Sequence, residues 1–228
     1  GALLTTGKLT LSSGVVNNAG QWQGQQILLT AGTLNNTGAI QAESSLNATL
    51  TGNLTSVAGS KITSNGSLAL SALSMINAGQ WIAKNLTLKA NTLTSSAEIT
   101  GVDTLDLTLA QRLENQAGSK LLSAGALTLN AKTIVNAGQI QGSATRLTGS
   151  TLDNSGRVQG DTLSLSASNS LNNATGGVLV SQNRLEVTSP VVINRGTLQG
   201  ADTAVTAATM LQNDGNILSA GALTLNSS

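Results

Sequence analysis

The chain has 228 residues, long enough for a sizeable buried core, yet Phe, Tyr, His and Cys are absent and two tryptophans are the only aromatic residues. Charged residues make up 9%, and 11 Lys+Arg against 10 Asp+Glu give a net charge of +1, too weak a field to collect phosphates or anionic lipid, so no nucleic-acid partner is expected. The missing His and Cys remove the common metal ligands, His-based triads and thiol nucleophiles, and no apolar run reaches the ~18 residues of a membrane span, so no membrane insertion is expected either.

The first element is Leu9-Thr10-Leu11, where alternation of period two turns leucines to one side of a strand and threonine to the other. The turn phrase Asn17-Asn18-Ala19-Gly20 follows, and Trp22 comes just after it. The same words then return along the chain. Taking the glycine after each Asn-containing turn gives Gly20, Gly38, Gly59 and Gly79, Ala97 in the fifth slot, then Gly118, Gly138, Gly156, Gly176, Gly196 and Gly215, with gaps of 18 to 21 residues. Strand alternation recurs between them at Leu86-Thr87-Leu88, Leu105-Asp106-Leu107 and Leu127-Thr128-Leu129. Turn and strand stand together in Leu152-Asp153-Asn154-Ser155-Gly156 with Leu163-Ser164-Leu165, and in Leu211-Gln212-Asn213-Asp214-Gly215 with Leu223-Thr224-Leu225.

A longer period lies over the short one. Gly20, Gly79, Gly138 and Gly196 are spaced 59, 59 and 58 residues apart, and Trp22 and Trp81 fall in equivalent slots of successive blocks. A longer turn form recurs from Leu113 to Gly118 and from Leu171 to Gly176. Leu122 to Asn130 repeats letter for letter as Leu218 to Asn226, so three short units form one duplicated block. Helical solenoids need units of ~33 to 45 residues, and the Leu-x-x-Leu-x-Leu-x-x-Asn phrase of leucine-rich repeats is missing. The remaining solution is an all-β fold, a parallel β-helix with about 19–20 residues per coil and about 11–12 coils. At ~4.8 Å per coil the rod is on the order of 55 Å long. Residues 1–228 are expected to be one solenoid of three-coil blocks, cut from something longer because Gly1 falls in mid-pattern.

The turn asparagines Asn18, Asn36, Asn77, Asn136, Asn154, Asn194 and Asn213 are expected on one corner as a structural ladder, each amide bonding the next coil's. Asn tolerates the left-handed conformation, and the glycine after it is expected to take positive φ. The corner Thr94-Ser95-Ser96-Ala97 has neither Asn nor Gly and must turn differently. No catalytic, metal or cofactor residue is identified. The outward slot of the second strand reads Leu28, Asn47, Ala69, Thr87, Asp106, Thr128, Arg146, Ser164, Glu186, Ala204 and Thr224, so no two acids adjoin in it. Asp103, Asp161 and Asp202 take similar positions but lie two or more coils apart, too far for a glycosidase pair. The tryptophan slot is filled elsewhere by Ile40, Ile62, Ile99, Ile140, Val158, Leu198 and Ile217, so inward packing is expected of Trp22 and Trp81.

The phrases Leu34-Asn35-Asn36-Thr37-Gly38-Ala39-Ile40-Gln41-Ala42, Val158-Gln159-Gly160 and Leu122-Ser123-Ala124-Gly125-Ala126-Leu127-Thr128-Leu129 resemble the haemagglutinin repeats of filamentous haemagglutinin and of contact-dependent growth inhibition exoproteins. These are large secreted members of bacterial two-partner secretion systems. The resemblance implies a right-handed coil, export as an unfolded thread through an outer-membrane two-partner transporter, and a place at the bacterial cell surface. The family's amino-terminal Asn-Pro-Asn motif cannot be present, since Pro190 is the only proline. The expected role is a stalk that holds distal domains of an adhesin or toxin-delivery protein away from the cell, without enzyme activity. A binding face for a host glycan or cell-surface receptor is the alternative, and a polysaccharide-cleaving β-helix enzyme a remote one.

Overall fold

The computed structural model describes residues 1–227, and every element in it is a strand. All pairings are parallel, and each strand pairs with its copy one coil further on. About twelve laps of about 19 residues stack in this way, as the alternation and the short period require.

Residues 139–156 show one lap. Strand Gln139–Gln141 forms the first face and turns Ile140 inward. The chain rounds a corner at Gly142 and Ser143, and strand Ala144–Asn154 then supplies two faces. Thr145 and Leu147 point inward from the second face, Leu152 and Asn154 from the third. A break in register between Gly149 and Thr151 bends the strand between them. Ser155 and Gly156 close the lap, and Arg157 stacks on Gln139.

Lap length varies only at the corners. Gln21 pairs with Ala39, Ala39 with Lys61 and Lys61 with Gln80, so successive laps take 18, 22 and 19 residues. The long laps contain the turns Val57-Ala58-Gly59-Ser60, Gln116-Ala117-Gly118-Ser119 and Ala174-Thr175-Gly176-Gly177, each closed by a bond from the fourth N–H to the first C=O at 2.9 to 3.1 Å. The third residue is glycine with φ of 82° to 84°, which is what a type II turn demands.

The core is a set of aliphatic columns. Trp22, Ile40, Ile62, Trp81, Ile99, Leu121, Ile140, Val158, Leu179 and Leu198 stack on the first face and are all buried. Leu34, Leu54, Met75, Leu93, Leu113, Ile134, Leu152, Leu171 and Val192 do the same on the third. No lap could bury these side chains alone, so each one's stability depends on its neighbours.

The expected reason for the corner glycines needs correcting. Among the described residues positive φ is confined to Gly59, Gly118 and Gly176, and no asparagine adopts it. At Gly38, Gly156, Gly196 and Gly215 the backbone is unremarkable, but a Cβ would collide with the carbonyl oxygen of Gly20, Gly138, Gly177 and Gly196 in the lap beneath. Those oxygens accept the backbone N–H that locks the next lap: Arg157 N to Gly138 O at 2.9 Å, and Thr197 N to Gly177 O at 2.9 Å. Close stacking, rather than left-handed geometry, requires glycine there. The same column carries Ser60, Ser119 and Gly177 in the long laps, one residue beyond the positive-φ glycines.

Candidate functional site

The seven asparagines named from the sequence share one column on the third face, and the register adds Asn115 and Asn173 to it. All nine but Asn213 are buried. Each sits two residues after an inward aliphatic side chain, so strand alternation itself carries the amide into the core. A buried amide is costly unless its polar atoms find partners, and the lap above supplies them. Asn115 Nδ2 donates to Asn136 Oδ1 at 2.7 Å, Asn136 to Asn154 at 2.7 Å, Asn154 to Asn173 at 2.8 Å, Asn173 to Asn194 at 2.8 Å and Asn194 to Asn213 at 2.7 Å. The second amide hydrogen bonds a backbone carbonyl, as in Asn136 Nδ2 to Arg157 O at 3.3 Å and Asn194 Nδ2 to Asn216 O at 3.0 Å.

Nearer the amino terminus the column is interrupted. Asn18 donates to Asn36 at 2.8 Å, but Ser56 and Ser95 occupy the next equivalent slots on either side of Asn77. Ser56 Oγ accepts the indole N–H of Trp81 at 2.9 Å. Ser95 Oγ donates to Ala97 O at 3.1 Å and accepts from Ser119 Oγ at 3.0 Å and, at 3.4 Å, from Asn77 Nδ2. As a result Asn115 Oδ1, at the foot of the long run, is buried without a partner.

Asn115 and Asn173 stand in the longer turn form but outside the ladder expected from the sequence, because that form puts one more residue between asparagine and glycine. Counting two positions from the turn leucine, Leu113 to Asn115 and Leu171 to Asn173, finds both.

The outward column of the second face runs as its spacing predicts, with Asp106 between Thr87 and Thr128, Arg146 between Thr128 and Ser164, and Glu186 between Ser164 and Ala204. Asp103 and Asp161 lie on one corner, with Gly125 and Ser143 stacked between them. Asp202 falls one step further on, opposite Arg184. Among the described residues no three acidic side chains converge. Exposed pairs hold several acids instead, such as Lys84 with Asp103 at 3.6 Å and Arg195 with Asp214 at 3.7 Å. Trp81 is fully buried and Trp22 is 6% exposed, so neither ring is available for stacking against a sugar. Among the described residues no helix is long and apolar enough to cross a membrane.

The haemagglutinin repeat model matches residues 1–55, 39–117, 105–175 and 158–228. The chain belongs to the haemagglutinin-repeat family. Its curated relatives include a tRNA nuclease CdiA of Escherichia coli strain NC101, 56% identical over 226 residues, and a 16S rRNA endonuclease CdiA of Enterobacter cloacae, 57% identical over 213. A deoxyribonuclease CdiA of Dickeya dadantii is 39% identical over 225 residues. These alignments take in 99%, 93% and 99% of this chain but only 7%, 6% and 6% of the relatives' lengths. No solved structure matches. Haemagglutinin-repeat exoproteins are secreted to the cell surface, and this chain is a segment of one.

Proposed function

We propose that the chain is a stalk segment of a bacterial surface exoprotein, one rod spanning residues 1–228 that holds distal domains away from the cell. The observation that carries the reading is the uninterrupted parallel pairing from the first lap to the last, wrapped around a buried, largely apolar core. Tension along the axis is borne by every backbone ladder at once, and the stacked asparagines add side-chain bonds in the same direction. Their role is mechanical, with no ligand. The relatives support this too: proteins named for three different nuclease activities share the segment, so it travels with different distal functions and carries out none of them. Export through an outer-membrane two-partner transporter suits a chain that has no thiol to mispair and gains its core only as laps stack. A cell-surface receptor on a target cell belongs in this reading to the distal domains.

The test is made in the full exoprotein. Deleting residues 80–138, one three-lap block, keeps the register of Lys61 below and Arg157 above nearly unchanged. Electron microscopy should show a filament shortened by about 14 Å, with export and target-cell inhibition retained. Loss of target recognition that a foreign three-lap block fails to restore would reject the stalk in favour of a specific binding role for these residues.

A further inference from the structure

A groove of about 260 Å³ follows the corner between the first and second faces across four laps. Its lining includes Gln141, Gln159, Arg157 and Asp161, with Val180 as an apolar member and Ala124 exposed in the lap beneath. Gln159 Oε1 accepts from Arg157 Nε, and Gln141 Oε1 accepts from Gln139 Nε2 at 2.7 Å. Both glutamines are thus held by their oxygens, which leaves their amide N–H groups without a partner among the described residues. Neither Arg157 nor Asp161 forms an ion pair there.

The two carboxy-terminal blocks build this corner differently from the two before them. At the slots filled by Trp22 and Ile27 in one block, and by Trp81 and Leu86 in the next, this block has Ile140 and Thr145. The following block has Leu198 and Thr203 in the same slots, and Thr203 Oγ1 donates to Leu218 O at 2.9 Å. The buried Thr145 hydroxyl bonds Gly142 O at 3.0 Å and Gln159 O at 3.1 Å, where a leucine could bond neither. Gly142 sinks so far inward that a Cβ would stand 2.8 Å from Leu127 Cβ. Smaller side chains and an internal hydroxyl hold the corner in its indented shape.

The lining selects a class of ligand. One positive and one negative group cancel, so an ion gains little, while carboxylate, guanidinium and amides together offer both donors and acceptors in quantity. The groove advances by about 4.8 Å per lap, whereas a bound peptide advances about 3.3 Å per residue and falls out of step. A pyranose ring is close to one lap in length and presents hydroxyls at its rim with an apolar C–H face.

We propose that this groove binds a neutral linear oligosaccharide laid along the rod axis, one ring per lap. Asp161 accepts from ring hydroxyls, Arg157 and the glutamine amides donate to them, and Val180 lies against a C–H face. This goes beyond the stalk reading, and it is tested by ligand binding to the intact chain rather than by filament length. The experiment is a titration of the ¹⁵N-labelled chain with cellotetraose, maltotetraose and chitotetraose, and with zwitterionic tetra-alanine as the rival. At least one tetrasaccharide should shift the amide resonances around Gln141, Gln159 and Val180 saturably. Gln159→Ala and Asp161→Ala should each weaken it about tenfold or more, while Gln41→Ala, on the same face two blocks away, should leave it unchanged. Ala124→Arg fills the exposed rim without removing a hydrogen bond and should give the same loss with an unaltered melting point. Absence of saturable shifts with all three sugars, preference for tetra-alanine, or equal sensitivity to Gln41→Ala would overturn the proposal.

Discussion

The two halves of the rod solve one problem differently. From Asn115 to Asn213 the buried column is an unbroken chain of amides, each satisfied by the next. From Asn18 to Ser95 it is patched, with Ser56 serving the Trp81 indole and Ser95 serving Ser119. A repeated fold therefore does not need a repeated side chain in every lap. It needs the buried polar atoms of the column to find partners, and within the column this fails at the joint between the two regimes, at Asn115 Oδ1.

The comparison is broken most severely through the patched half. Trp81→Ala empties the largest fully buried slot and strands the Ser56 hydroxyl, which should cost about 3–5 kcal/mol by denaturant titration. In the continuous half Asn154→Ala orphans the Asn136 donor and the Asn173 acceptor together, for an expected loss of about 2–4 kcal/mol. A loss no larger than that of Ser95→Ala would mean that the ladder adds nothing beyond the patches.

Glycines sharpen the contrast between stacking and turn geometry. Gly156→Ala drives a methyl into Gly138 O and should cost about 1–3 kcal/mol. Gly118→Ala meets nothing within 4 Å and should cost about 1 kcal/mol, through the left-handed backbone alone. The smallest effect is a gain. The double variant Ser95→Asn/Ser119→Gly copies the arrangement of Asn154 beneath Gly177, gives Asn115 Oδ1 a donor and should add about 0.5–1 kcal/mol to the unfolding free energy. No gain would place the unpaired oxygen in contact with water.

Much of the rod was readable in the sequence because strand alternation and lap period are local signals. Every position of the outward column from Leu28 to Thr224 follows from them, as does the inward packing of both tryptophans. The purpose of the glycines was not, since a collision between Gly156 and Gly138 depends on how closely two laps stack, which no window of neighbouring residues records. Asn115 and Asn173 stand outside the expected ladder for a related reason: the type II turns shift the glycine while the strand keeps its phase. The bond between Trp81 and Ser56 spans 25 positions and two faces, and it has no signature short of the folded register.

The wider corners at Gly59, Gly118 and Gly176 come out on one edge at every third lap. They graduate the rod like marks on a ruler, about 14 Å apart. Spin labels on the neighbouring Ala58, Ala117 and Thr175 would turn those marks into a gauge of how far the rod bends or stretches under load.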